Sequence, residues 1–115
     1  VSGIGQRGED DAVEFLRKKG YRIVHRNYVT PLGEADIVAR DRDAIVFVEV
    51  KARKSDRFGQ PFEAVGPRKQ ERIRRIALYF LKQNRLEAPV RFEVVSLLYR
   101  DGRPEITHVT DDFGC

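Results

Sequence analysis

Hydrophobic positions along this chain follow two periods, and the elements change where the period changes. Between Gln6 and Lys19, Ala12, Val13, Phe15 and Leu16 form an apolar stripe at helical spacing, and Gly20 is a suitable stop, so a first helix is expected there. Tyr21 to Tyr28 reads as a strand with Tyr21, Ile23 and His25 on one side, and Pro31-Leu32-Gly33 turns the chain. Glu34 to Arg40 and Ala44 to Lys51 are expected to pair as a hairpin across Asp41-Arg42-Asp43; the second of them is the most apolar run in the chain. Arg53 to Gly66 is polar, with Gly59 and Pro61, and predicts a surface loop. Ile73, Ile76, Ala77, Phe80 and Leu81 recur at helical spacing behind Pro67, which predicts a helix over 67–84.

Arg91 to Arg100 is apolar on both faces, through Phe92, Val94 and Leu98 on one and Val95, Leu97 and Tyr99 on the other. That pattern predicts an interior strand covered on both sides. Asp101-Gly102 signals a turn into a last strand, Arg103 to Val109. A helix between the third and fourth strands requires a right-handed crossover and a parallel pair. The expected class is therefore α/β, a mixed five-stranded sheet flanked by helices, with residues 1–115 as a single domain.

Composition narrows the function classes. The chain has no apolar run long enough to span a membrane, and Val1-Ser2-Gly3-Ile4-Gly5 lacks the regions of a signal peptide; the absence of Met there suggests a trimmed natural start. Cys115 is the sole cysteine, so an internal disulfide and C-x-x-C metal spacing are excluded and a reducing cytoplasm is expected. A net charge of +4 permits a polyanionic partner, and its distribution says more. Arg68, Lys69, Arg72, Arg74, Arg75, Lys82 and Arg85 face a single acid, Glu71, between positions 68 and 85.

Candidate chemistry lies in the central hairpin. Side chains alternate along a strand, so Glu49 and Lys51 share a face, and the hairpin partner can bring Asp36 beside Glu49. Charges ending so apolar a strand are costly unless paired or bound to metal. Two carboxylates can hold Mg²⁺ or Mn²⁺ through hard oxygens, with the Val50 carbonyl as a further ligand. Lys51 would orient an attacking water or stabilise the transition state of phosphodiester hydrolysis. The alternative is an ion triad of Asp36, Glu49 and Lys51 at a sheet edge.

Gly33-Glu34-Ala35-Asp36-Ile37-Val38-Ala39 followed by Val46-Phe47-Val48-Glu49-Val50-Lys51-Ala52-Arg53 resembles the core of the PD-(D/E)XK nucleases. With Gly8-Glu9, Gly20-Tyr21, Arg26-Asn27, Phe58-Gly59-x-Pro61-x-Glu63-Ala64-Val65 and Lys69-x-x-Arg72, the chain is similar to the bacterial YraN-type family over nearly its whole length. That family in turn resembles the Holliday-junction resolvases. The resemblance implies a restriction-endonuclease-like fold and Mg²⁺-dependent cleavage of DNA, including branched DNA. It implies Asp36 and Glu49 as metal ligands, Lys51 as the catalytic lysine and Glu9 as a first-helix glutamate directed into the site. Lys69 matches a recurrent basic position on the helix after the core hairpin. Ala35 departs from the usual larger aliphatic, and no Pro precedes Asp36, although many superfamily members lack it.

Several residues carry two readings. Glu9 is either a site carboxylate or a partner of its helix N-terminus. Glu34 is either an extra ligand or the partner of Arg26 or Lys51. Arg68, Lys69, Arg72 and Arg75 either track DNA phosphates or form a solvated face. Phe58, Phe62 and Tyr28 either stack on bases or anchor the core. His25 and His108 are isolated in sequence and receive no role, and Tyr79 is assigned to packing. The competing functions are a metal-dependent endonuclease, a catalytically silent DNA-binding or repair scaffold, and an RNA nuclease. Symmetric cutting of branched DNA would need two sites, hence a homodimer.

Overall fold

A computed structural model of the chain describes residues 4–54 and 67–111. The order is α1 (Ile4–Lys18), β1 (Arg22–Thr30), β2 (Gly33–Asp41), β3 (Ala44–Lys54), α2 (Pro67–Gln83), β4 (Val90–Arg100) and β5 (Arg103–Asp111). One mixed sheet runs β1-β2-β3-β4-β5, antiparallel at every junction except β3–β4, which is parallel. α2 lies in the β3–β4 connection, as a parallel pair requires. This is the restriction-endonuclease-like arrangement that the sequence anticipates. Phe58, Phe62 and Cys115 lie outside the described residues. Among the described residues, no helix is long and apolar enough to cross a membrane.

Alternation along β3 divides the core into two layers. Val46 and Val48 pack with Ala12, Val13 and Leu16 of α1, while Ile45 and Phe47 pack with Ile76, Ala77 and Phe80 of α2. β4 is covered on both sides, with Phe92 in the α2 layer and Val95, Leu97 and Tyr99 in the α1 layer. Tyr28 belongs to the α2 layer, edge-on to Phe80 at 5.5 Å, so it anchors the core.

β1 departs from the expected strand. Ile23 joins the α1 layer, but His25 stacks on Tyr28 at 5.0 Å and meets Phe80 edge-on. A register shift between Ile23 and His25 inserts one residue and sends His25 to the opposite face. Further along, Asn27 adopts φ 52° opposite Asp36. There β2 also turns over: Ile37 packs in the α1 layer and Ala35 in the α2 layer, where simple alternation would leave both on one face.

His108 is not isolated either. Glu93 is buried in β4 with its side chain wholly covered. It accepts from the Tyr21 hydroxyl at 2.9 and 3.1 Å and from Arg91 Nε at 3.1 Å, and it pairs with His108 Nε2 at 2.6 Å. Arg91 continues to Asp41 at 2.7 Å, and Lys19 Nζ reaches His108 Nδ1 at 3.1 Å. This network ties the end of α1 to β4 and β5.

Candidate active site

The β2–β3 ladder runs from Asp41↔Ala44 to Ile37↔Val48 and goes no further. Where the strands separate, the Asp36 carboxylate replaces the missing backbone partner: its Oδ2 accepts the Val50 N–H at 2.8 Å. In a strand, the amide and carbonyl of one residue face the same neighbour, so the Val50 carbonyl is also on the Asp36 side. Asp36 thus stands at the fork of the hairpin, half-buried, with one oxygen engaged.

Electrostatics at the fork are unfavourable. Burial pushes the Asp36 carboxyl above its ordinary value, the Val50 hydrogen bond pulls it back, and the charges of Glu49, Glu9 and Glu34 push it up again. Carboxylates from α1, β2 and β3 therefore converge on Asp36. Asp36, Glu9, Val50 and Lys51 line one cleft; Glu49 and Glu34 line a second, with Asp36 as the shared wall. Among the described residues no three acidic, histidine or cysteine side chains form a metal cage by themselves. The donor set still suits a hard divalent ion: two carboxylate side chains and a backbone oxygen.

Glu9 reaches this fork because of its neighbour Gly8. A Cβ built on Gly8 would stand 2.5 Å from the Ala52 Cβ, so glycine is what lets α1 approach β3 so closely. Glu9 is buried, and its Oε1 accepts from Arg26 Nη2 at 2.8 Å, Arg26 Nε at 3.1 Å and Asn27 Nδ2 at 3.1 Å. The helix-dipole reading of Glu9 is corrected: α1 starts at Ile4, so Glu9 sits beyond the first turn, where the effect has faded. Of the two partners expected for Glu34, Arg26 is held by Glu9 and Asp10 instead.

Lys51 is half-buried, and Ser96 is its register neighbour on β4. Among the described residues the Ser96 hydroxyl, which is buried, has no hydrogen-bond partner, an arrangement that costs about 1–3 kcal/mol. Sequence reasoning missed Ser96, and a serine inside a doubly apolar strand was its only signal.

The basic helix face divides in two. Lys69 turns inward to form an ion pair with Glu49. Arg75 pairs with Glu71 at 3.1 Å, and Arg72 lies over the β1–β2 turn, where a Gly33 Cβ would meet its Cδ at 2.9 Å. Arg68 and Arg72 share a shallow depression with Leu32. Residues chosen for one solvated or DNA-facing stripe thus serve different partners.

The family model of the uncharacterised protein family UPF0102 matches residues 8–97, which contain all of these side chains. A UPF0102 protein of Syntrophomonas wolfei is 47% identical over 111 residues, covering 96% of both chains. One from Thermodesulfovibrio yellowstonii is 40% identical over 110 residues, covering 96% of this chain and 95% of its own. A third, from Geotalea uraniireducens, is 47% identical over 112 residues, covering 96% and 88% respectively. Joined to the fold described above, these likenesses mean that the chain belongs to the UPF0102 family, the YraN-like branch of the PD-(D/E)XK-related folds.

Proposed function

We propose that this protein is a metal-dependent endonuclease that hydrolyses DNA phosphodiester bonds, with Asp36, Glu49 and the Val50 carbonyl holding Mg²⁺ or Mn²⁺. The observation that carries the reading is the Asp36 fork, where a half-buried carboxylate with one oxygen engaged is crowded by like charge. Like charges gathered around a buried carboxylate cost stability, and a divalent cation would offset that cost more fully than the ion pairs of Glu9 and Glu49 do. When bound, a divalent ion supplies Lewis acidity to water and to the phosphate. Lys51, in the same cleft as Asp36, would donate to a phosphate oxygen and steady the charge that develops there. Glu9 would hold a proton-accepting carboxylate at the fork, kept in place by Arg26 and Asn27. Arg68, Arg72 and Arg75 would follow the flanking phosphates, with a cytoplasmic setting and branched DNA as the favoured substrate.

Cleavage of duplex, single-stranded, flap and four-way-junction DNA in Mg²⁺, Mn²⁺ or EDTA tests this reading. Activity that requires metal and vanishes in Glu49→Gln is expected. A competing reading, a catalytically silent DNA-binding scaffold, draws on the absence of a three-acid cage among the described residues. It predicts no cleavage of any substrate, with salt-sensitive DNA affinity that survives EDTA. Paired incisions across a junction would need two copies of this fork. Light scattering is then expected to find a homodimer at assay concentration.

A further inference from the structure

We propose that Lys69 is a built-in counter-cation of the site: its ammonium occupies Glu49, an incoming divalent ion displaces it, and the released lysine then engages a substrate phosphate. This rests on the metal-site reading given above and adds a rule for how the site loads.

The placement of Lys69 follows from α2. Ile73 and Ile76, four and seven residues on, pack toward the α2 layer, so the same helical stripe carries Lys69 back over the sheet at β3. The first turn of α2 holds no acid that would compete for the ammonium. Arg26 is engaged by Glu9 and Asp10, and Arg74 and Arg75 by Glu71. Glu49 takes Lys69 as its cation.

The pair is lopsided. The Glu49 side chain is only 17% exposed and the Lys69 side chain is 43% exposed. Glu49 is the fixed, costly charge, and Lys69 is a flexible arm with a wet end. A pair this open is a weak structural bond, and a divalent ion held by Asp36 and Glu49 together offers Glu49 a stronger partner. Once displaced, Lys69 lies in the first turn of α2, next to Arg68 and one turn before Arg72 in sequence, where the helix terminus favours an anion. A compact ammonium suits such a transfer better than a guanidinium, whose planar fork would bind the carboxylate in two-point fashion.

The test needs no turnover. Mn²⁺ is titrated calorimetrically into wild type, Lys69→Met, Lys69→Arg and Asp36→Asn without DNA, and duplex DNA affinity is measured by anisotropy with and without Mn²⁺. Lys69→Met should bind Mn²⁺ about fivefold more tightly than wild type, the equivalent of one weak ion pair. Its DNA affinity should fall only when Mn²⁺ is present. Lys69→Arg keeps the charge and should not tighten Mn²⁺ binding, which guards against a misfolded Met variant. Mn²⁺ binding by Lys69→Met but not by wild type also supports the proposal. Equal Mn²⁺ affinity in wild type and Lys69→Met, with Asp36→Asn abolishing binding, overturns the role of Lys69 and leaves the metal site standing. Heat that Asp36→Asn does not change, or no binding by any form, overturns both.

Discussion

The first helix connects two clusters of buried charge, one along its N-terminal half and one just past its C-terminal end, built on opposite principles. At the C-terminal end burial alone would raise the Glu93 carboxyl. His108, Tyr21 and Arg91 outweigh it and hold that carboxyl below its usual range. Tyr21 is in turn pushed up to about 12 by burial and by Glu93. At the N-terminal end the balance goes the other way: Asp36 is raised by burial and by Glu49, Glu9 and Glu34, with a single amide opposing them. A completed network stabilises the fold; an incomplete one leaves room for something from outside the chain. Burial of charge alone does not mark a functional site; several like charges gathered around one buried carboxylate are the better marker.

The largest effect expected from breaking this comparison lies at the structural end. Glu93→Gln leaves Arg91 without its buried carboxylate and should destabilise the protein by about 3–5 kcal/mol in equilibrium denaturation. Mn²⁺ affinity should be unchanged in whatever fraction folds. A lowered acid contributes stability that is present above its unfolded value of about 4.5 and is lost as pH falls through the folded one. Wild type should therefore lose stability on acidification below pH about 4.5 more steeply than Glu93→Gln.

At the other end, Asp36→Asn should reduce DNA cleavage by more than about 100-fold, since even outer-shell partners of metals are worth 10- to 100-fold. The same variant should be more stable than wild type. A raised acid lends stability below its unfolded value and loses it as pH climbs through the folded one, so at neutral pH the charge opposes folding. A gain on the order of 1 kcal/mol is expected, read as a higher Tm without metal.

Gly8→Ala sits between the two. The added methyl meets Ala52 and should cost about 1–3 kcal/mol as overpacking, against a gain of about 1 kcal/mol in helix propensity. The net is a modest loss of stability together with weaker Mn²⁺ binding, as Glu9 is lifted from the fork. Gly5→Ala, whose Cβ would meet nothing within 4 Å, should only gain stability. Smallest is Arg72→Ala, expected to weaken DNA binding a few-fold across sequences and to lower the salt slope by about 1.

The elements and their pairing were legible because each is coded locally. Alternation marked β3, doubly apolar spacing marked β4, and the helix between them required a parallel pair. The hairpin placed Asp36 and Glu49 along one cleft, but Lys51 lines a second cleft that shares only Asp36 with the first, a split that strand alternation does not foretell. His25 was misplaced because a one-residue bulge has no signature in hydrophobic pattern. The Glu93–His108 network was missed because its members are distant in sequence and their pairing exists only in the fold. Lys69 looked like one cation in a basic stripe; the direction in which α2 presents it to Glu49 depends on how the helix docks.

The two clusters also differ in how far the chain must travel to close them. Asp36 and Val50 are 14 residues apart, Glu9 and Arg26 are 17 apart, and Glu49 and Lys69 are 20 apart. Tyr21 and Glu93 are separated by 72 residues, and Lys19 and His108 by 89. Closing a loop costs more entropy as it lengthens, and contacts between near neighbours form sooner during folding. The fork can therefore take shape while the nascent chain is still short of β4. The Glu93 clasp, which links the end of α1 to the late strands, can close only once β4 and β5 are in place.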